Sequence, residues 1–188
     1  MRDPFREGLA AGWKHIDASQ LAVDLPIEAD VVIIGSGAGG GVTAEILAAN
    51  GLKVVIVEEG PLRTSSDFKM REAEAYPDLY QESAARKTAD KAINILQGRC
   101  VGGSTTVNWT SSFRTPPRTL QWWQSAWGLK RLGVDAMAPW FAAMEQRLHV
   151  GLWPIPPNEN NAALARGAAQ LGIPIAVIAS SVQMCWNH

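Results

Sequence analysis

The residues best suited to bind an anion lie in one stretch, which reads VVIIGSGAGGGVTAEILAANGLKVVIVEEG from Val31 to Gly60. Its glycines have the spacing G-x-G-x-x-G at Gly35, Gly37 and Gly40. In a strand–turn–helix unit, the first glycine permits a sharp turn, the second lets a pyrophosphate approach the backbone, and the third lets the helix lie close to the strand. The phosphates would then lie at the helix N-terminus, where unpaired N–H groups and the helix dipole favour an anion.

An acidic residue follows at the spacing of a ribose contact. Glu58 lies 23 positions after Gly35, at the end of the second apolar run. In a βαβ unit of about 30 residues, an acid at this place accepts hydrogen bonds from the adenosine ribose. A carboxylate there would repel a 2′-phosphate, so NADP is disfavoured. Glu59 would point to the opposite face, and we assign it no role.

These residues need two strands and a helix to position them. Val31–Ile34 and Val54–Val57 are short apolar runs of the kind found in parallel strands covered on both faces. Val42–Asn50 is predicted to be a helix that ends before Gly51. The complete pattern of strand, glycines, helix and acid predicts a dinucleotide site, although a βαβ unit alone does not separate FAD from NAD.

A second glycine-rich segment, GRCVGGSTTVNWTSSFRTP, begins at Gly98. Together with the first motif it resembles the N-terminal half of the glucose–methanol–choline (GMC) oxidoreductases, flavoenzymes that oxidise alcohols. The resemblance covers about Ala29 to Pro117. It implies that the first motif binds the ADP half of FAD and that residues 102–105 run beside the pyrophosphate and flavin. It also implies that Asn108 lies near the flavin, while Arg99 either faces the phosphates or forms a surface ion pair.

The resemblance makes FAD the expected cofactor and adds the second segment to the site. The candidate cofactor-binding residues are Gly35, Gly37, Ala38, Gly40, Glu58, Arg99, Gly102, Gly103, Ser104 and Asn108. The family usually has an aromatic residue four positions after the asparagine, whereas this chain has Ser112 there and Phe113 one residue later. Some relatives attach FAD through a histidine in this loop. Here Val107 precedes Asn108 and no histidine is nearby, so we expect a non-covalent flavin.

A catalytic base is not evident. Alcohol oxidation needs a group to accept the hydroxyl proton, and histidine is suited to this near neutral pH. The three histidines, His15, His149 and His188, lack a catalytic setting in the sequence. In the resembled family the catalytic histidine lies in a C-terminal segment beyond these residues, so we assign no catalytic residue and expect the 188 residues alone to be inactive. We interpret Cys100 and Cys185 as reduced and structural, and expect no metal site.

The predicted fold is α/β, a Rossmann-like FAD-binding βαβ layer with helical additions, incomplete as a domain. We divide the chain into a lead-in (1–28) with a short helix in PFREGLAAGW, an FAD-binding portion (29–118) and a helical cap segment (119–188). Further helices are predicted at 68–75, 119–128, 134–150 and 158–171, and strands at 92–98 and 173–181. Tryptophans in the second and third of these helices have helical spacing, which favours packing between helices over a substrate wall.

The charge balance of the chain excludes some classes of binding partner. Lys and Arg total 17 against 18 for Asp and Glu, which argues against a nucleic-acid surface or a polybasic membrane anchor. The sequence shows no secretory signal and no membrane span, so a cytoplasmic location is the default. We therefore expect an FAD-dependent oxidoreductase whose substrate is a small-molecule alcohol. A non-catalytic FAD- or ADP-binding module and an NAD enzyme are the alternatives, and the substrate and electron acceptor stay open.

Overall fold

The computed structural model describes residues 3–181. They fall into two compact units, one ending at Asn108 and the other beginning at Trp109. Within the described residues, no helix has both the length and the apolar character needed to cross a membrane.

The first unit opens with a short helix, α1 (Pro4–Ala10). Its proline occupies the first helical position, where the missing N–H costs nothing, and the Asp3 carboxylate caps the first turn by accepting from the Arg6 N–H at 3.1 Å. The short helix predicted for the lead-in is thus confirmed.

A βαβ unit follows, made of β1 (Val31–Ile34), α2 (Ala38–Ala49) and β2 (Val54–Val57). The strands pair in parallel, with Val31 opposite Val54 and Ile34 opposite Val57, which confirms both predicted strands. The helix begins four residues earlier than predicted, because the glycines after Gly37 adopt helical geometry: the Gly41 N–H donates to the Gly37 carbonyl at 2.9 Å. It ends at Asn50 and Gly51 as predicted.

The rest of the first unit is less regular than predicted. The next helix is α3 (Glu72–Leu79), which begins after the predicted Phe68, since residue 70 has a positive φ of 55° that a helix cannot include. The strand predicted at 92–98 is wrong. This segment makes only isolated bridges, because its partners at Lys87 and Tyr80 belong to a turn and a helix end. A short 3₁₀ turn at Gly103–Thr105 completes the unit.

Up to residue 181, where the described part of the chain ends, the second unit contains three α-helices, a 3₁₀ turn at Lys130–Leu132 and one small sheet. The helices are α4 (Pro117–Trp127), α5 (Val134–Arg147) and α6 (Glu159–Gln170), all of which were predicted. Two-residue strands β3 (Gly151–Leu152) and β4 (Ala179–Ser180) pair antiparallel, so the predicted strand at 173–181 is far shorter than expected.

The apolar core of the described residues is small. Leu79, Cys100 and Leu120 are its buried members. The tryptophans of α4 and α5 are not core residues, since Trp127 is 67% and Trp140 65% exposed. The helix-packing interpretation is therefore wrong for Trp127 and Trp140, whereas Trp123 is half-buried. Helical spacing marks a shared face but not what covers that face.

Candidate functional site

The first glycine turn links β1 to α2. Gly35 leaves β1 with a φ of 89° and donates its N–H to the Val57 carbonyl at 2.8 Å. Gly37 is the N-cap of α2. A Cβ on Gly40 would lie 2.0 Å from the Gly35 carbonyl oxygen, a distance that no side chain tolerates. The third glycine of the motif therefore has the role predicted from the sequence: it lets the helix pass directly against the turn.

Glu58 holds this turn from the end of β2. Its Oε2 accepts from the Ser36 N–H at 2.9 Å and from the Ser36 hydroxyl at 2.6 Å, while Oε1 accepts from the Gly60 N–H at 2.9 Å. Partial burial alone would raise the pKa of Glu58, but the bonds from Ser36 and Gly60 outweigh it and hold that pKa below the ordinary value. The carboxylate is therefore charged at neutral pH and orders the loop.

The second glycine segment contacts the first directly. The Gly102 N–H donates to the Ser36 Oγ at 2.9 Å, so this hydroxyl joins Gly102 to Glu58. Gly103 has a φ of 54°, and a Cβ built on it would lie 3.2 Å from the Gly37 Cα. A side chain there would be strained by its backbone and crowded by the first turn. Two glycine motifs more than 60 residues apart in sequence thus form one surface.

The backbone segments next to this surface also pack closely against one another. A Cβ on Gly60 would lie 2.4 Å from the Arg99 backbone, and one on Gly98 would lie 2.4 Å from Gly103. Cys100 is fully buried between them, and this burial raises the pKa of its thiol. Cys100 is a free thiol, as predicted, whereas Cys185 lies outside the described residues.

The structure places the remaining predicted residues at the edge of the site. The Arg99 Nε lies 3.1 Å from the Glu59 Oε2 in an exposed ion pair, which is the second of the two alternatives drawn from the sequence. The Asn108 amide donates to the Thr105 carbonyl at 2.8 Å and so ties the end of the second segment to its own turn. A phosphate role for Arg99 and a flavin contact for Asn108 stay predictions.

Two further predicted residues have local roles. The Ser104 Oγ accepts from the Gly98 N–H at 3.0 Å, which closes the second segment on itself. Ala38 is the first residue of α2 and presents its N–H at the helix N-terminus. Phe113, the aromatic that stands one position late in the family pattern, is largely exposed.

Sequence reasoning missed Ser36. It occupies a variable position of G-x-G-x-x-G, where the motif itself assigns no role. A polar side chain at the strand–helix turn, opposite an acid at the end of the neighbouring strand, is the signal that could have identified it.

The site fits the ADP part of a dinucleotide. An added Cβ on Gly35, Gly37 or Gly39 would meet no atom within 4 Å, so open space lies at the N-terminus of α2 where a pyrophosphate is favoured. A carboxylate can accept about four hydrogen bonds, so Glu58 can both hold the turn and accept from a ribose hydroxyl.

The described residues offer neither a metal site nor an obvious base. No group of three or more potential ligands occurs in residues 3–181. His15 and His149 are exposed and lie outside both glycine segments, while His188 lies outside the described range.

Comparison with known proteins agrees with this geometry. Residues 30–70 match the sequence profile of an FAD binding domain, and residues 76–188 match that of GMC oxidoreductase. The chain is 33% identical to the long-chain-alcohol oxidase FAO4A of Arabidopsis thaliana, over 80% of this chain and 21% of that protein. It is also 33% identical to the uncharacterized GMC-type oxidoreductase Rv0492c of Mycobacterium tuberculosis, over 88% of this chain and 27% of that protein.

A solved structure shows the same fold. Pyridoxine 4-oxidase from Mesorbium loti superposes with a TM-score of 0.65 at 22% identity, covering 84% of this chain and 37% of that one. This chain spans about a fifth of the length of the plant relatives that it matches. Because the family profile covers more than half of the sequence, the chain belongs to the GMC oxidoreductase family, with FAD as its cofactor.

Proposed function

We propose that the protein oxidises the CH–OH group of an alcohol by hydride transfer to FAD, and that these residues form the part that binds the cofactor. The observation that carries this proposal is the joining of the two glycine segments through Ser36. The matched relatives include proteins named long-chain-alcohol oxidases, which supports an alcohol donor.

The chain supplies binding and orientation. The N-terminus of α2, with Gly37 and Ala38, would hold the pyrophosphate, and Glu58 would hold the ribose. Gly102 and Gly103 would line the path toward the flavin, where the lack of side chains lets the main chain approach a planar ring. When bound, FAD supplies the acceptor for two electrons and a proton, chemistry that no side chain offers.

Non-covalent binding forms part of the proposal. Residues 98–108 contain no histidine to which a flavin could be linked. We therefore expect acid or heat to release intact FAD from the polypeptide. Flavin that stays attached after denaturation would contradict this expectation.

A non-catalytic FAD-binding module is the second candidate. Both glycine segments that would bind the cofactor lie within these residues, whereas His15 and His149 are exposed and lie outside those segments. For the same reason we expect the 188 residues alone to bind FAD without oxidising alcohols, since lacking a general base typically costs a factor of ~10² to 10⁴ in rate.

Anaerobic reduction of the bound flavin separates the two candidates. The protein would be loaded with FAD and mixed with primary alcohols of increasing chain length, with the visible flavin absorption followed over time. Bleaching by an alcohol supports the oxidoreductase. A flavin that a chemical reductant bleaches but no alcohol does would favour the non-catalytic module.

A further inference from the structure

A buried polar cluster lies beside the nucleotide loops, and none of the roles above uses it. Asp3 is 7% and Thr64 5% exposed, although 61 residues separate them in sequence. They are among the best-buried side chains of a unit that exposes much of its apolar surface, Ile34 being 88% exposed. Burying a carboxylate is costly unless its oxygens are satisfied, so the contacts of this group identify its role.

The Asp3 carboxylate is satisfied almost entirely by one loop. Its Oδ2 accepts from the Thr64 hydroxyl at 2.5 Å, the Ser66 hydroxyl at 2.6 Å and the Ser66 N–H at 3.1 Å. Oδ1 accepts from the Arg6 N–H at 3.1 Å. The hydroxyls of Ser66 and Thr64 hold the pKa of Asp3 far below its usual range, so the group is a carboxylate under all ordinary conditions.

Arg6 closes the cluster from the first turn of α1. Its Nη2 lies 2.6 Å from the Asp67 Oδ1, and its Nε donates to the Thr64 Oγ1 at 3.3 Å. The Asp67 Oδ2 in turn accepts from the Thr64 N–H at 2.8 Å. One aspartate and one arginine from the lead-in therefore hold both ends of a four-residue turn, with bonds in several directions.

The same loop begins at the nucleotide site. The Gly60 N–H donates to Glu58, and the next residue, Pro61, accepts from the Val101 N–H at 3.0 Å. The start of the loop thus touches the ribose-binding acid and the second glycine segment, while its end is held by Asp3 and Arg6. Directional bonds fix a position where apolar contacts would allow sliding.

We propose that this cluster holds the loop of residues 60–67 in place beside Glu58 and the 3₁₀ turn at Gly103–Thr105, and so sets the affinity for FAD. We call the cluster the latch. The latch consists of Asp3, Arg6, Thr64, Ser66 and Asp67. Asp3 is a positioning residue that acts through the loop and does not itself contact the cofactor. The inference rests on FAD binding by the glycine segments, as proposed above.

The first test compares two identical chemical changes in the lead-in of the full 188-residue chain. Asp3→Asn keeps the shape of the side chain but replaces one acceptor oxygen with an NH2 group. That group cannot accept a hydrogen bond from Arg6 or from the loop hydroxyls. Asp17→Asn makes the same change at an exposed aspartate whose hydrogen bonds are to Ser19. Since bonds to charged groups are worth roughly tenfold or more in equilibrium terms, we expect Asp3→Asn to raise the FAD dissociation constant about tenfold and Asp17→Asn to leave it unchanged.

A second pair keeps the test decisive if Asp3→Asn folds poorly. Thr64→Val replaces the hydroxyl with a methyl group of similar size, whereas Thr64→Ser retains the hydroxyl and loses the methyl group. Hydrogen–deuterium exchange of the apo-proteins should show faster exchange in residues 58–67 for Thr64→Val, with β1 and α2 still protected, and Thr64→Ser should restore both protection and affinity. Faster exchange everywhere would mean that the cluster only stabilises the fold.

The outcomes separate the latch from the function on which it rests. If the unmodified chain binds no FAD, the proposed function fails. If it binds FAD and both Asp3→Asn and Thr64→Val bind equally well at a temperature where they are folded, the latch is overturned. Weaker binding by both variants, with the two controls unchanged, would establish it.

Discussion

The nucleotide loops and the tryptophan-rich helices α4 and α5 differ in what determines their structure. In the loops, a turn, a carboxylate and a hydroxyl meet at distances of 2.6 to 2.9 Å, and added methyl groups would collide with backbone. In the helices, large aromatic side chains such as Trp127 and Trp140 face solvent. Close main-chain contact specifies the first region, whereas Leu120 is the one fully buried side chain of α4 and α5.

This difference shows that a role can be assigned to a residue whose close contacts leave a single explanation for its type. A glycine whose missing Cβ touches another backbone has a single reason to be glycine, so its role follows from geometry. An exposed tryptophan has several possible reasons, and geometry alone does not choose among them. This distinction can be tested by substitutions at closely packed positions, each compared with the same kind of change at an open or exposed position.

The largest effect is expected for Gly40→Ala. The new Cβ would meet the Gly35 carbonyl at 2.0 Å, so α2 must move away from the turn. We expect a loss of more than about 3 kcal/mol in the free energy of unfolding, in the upper tail of single substitutions, together with loss of FAD binding. Chemical denaturation and FAD titration measure both.

Gly39→Ala is the matched control for this prediction. It adds the same methyl group in the same helix, where the Cβ would meet nothing within 4 Å. Because alanine is the better helix former by roughly 1 kcal/mol, this variant should be as stable as the unmodified chain or more so. An equal loss of unfolding free energy from both substitutions would contradict the account of the third glycine.

A smaller loss is expected for Leu120→Ala in α4. Leu120 is 2% exposed, so truncation should cost about 2 to 3 kcal/mol of unfolding free energy, the lower part of the usual range for buried leucine. Trp127→Ala removes more atoms from the same helix but should cost less than about 1 kcal/mol, because the ring is mostly exposed. Thermal unfolding ranks the two, and the reverse order would show that the tryptophan face is covered in solution.

The two neighbouring glutamates repeat the contrast on a smaller scale. Glu58→Gln makes one acceptor oxygen neutral and replaces the other with an NH2 donor, which weakens the bonds from Ser36 or Gly60 as well as those from the ribose, so FAD affinity should fall by about 1 to 2 kcal/mol. Glu59→Gln weakens an exposed ion pair with Arg99 and an exposed hydrogen bond from Gln81, and should change affinity by less than about 0.5 kcal/mol. If FAD titration ranked them oppositely, the ribose would lie on the other face of the strand end.

The smallest expected effect is a decrease in FAD affinity at acidic pH, caused by protonation of Glu58. The folded-state pKa of Glu58 is lowered, so its stabilising contribution is complete above the ordinary glutamate value of 4.5 and is lost as the pH falls through the lower, folded value. FAD affinity should be flat from about pH 7 down to about 4.5 and should decline as the pH falls further, through the lowered pKa of Glu58. Glu58→Gln should remove part of this decline, and an unchanged acid profile in that variant would assign it to other carboxylates.

The features that could be predicted from the sequence are those that depend on residues close together in the chain. The two strands, α2 and the fit of Gly40 follow from short-range sterics, and α6 ends at Gly172 with the positive φ that such an end requires. The segment at 92–98 could not be judged this way, because an apolar run becomes a strand only where a neighbour pairs with it. The link from Ser36 to Gly102 joins distant segments, and no local pattern encodes it.

The most direct test of a single FAD site built from both glycine segments is a calorimetric titration of the apo chain, and of its Ser36→Ala variant, with FAD and with NAD. The account predicts saturable one-to-one binding of FAD, no measurable NAD binding at the same concentrations, and roughly fivefold to tenfold weaker FAD binding when the Ser36 hydroxyl is removed. FAD binding that is indifferent to Ser36 would contradict a joined site. Preferential binding of NAD would contradict the assignment of the cofactor.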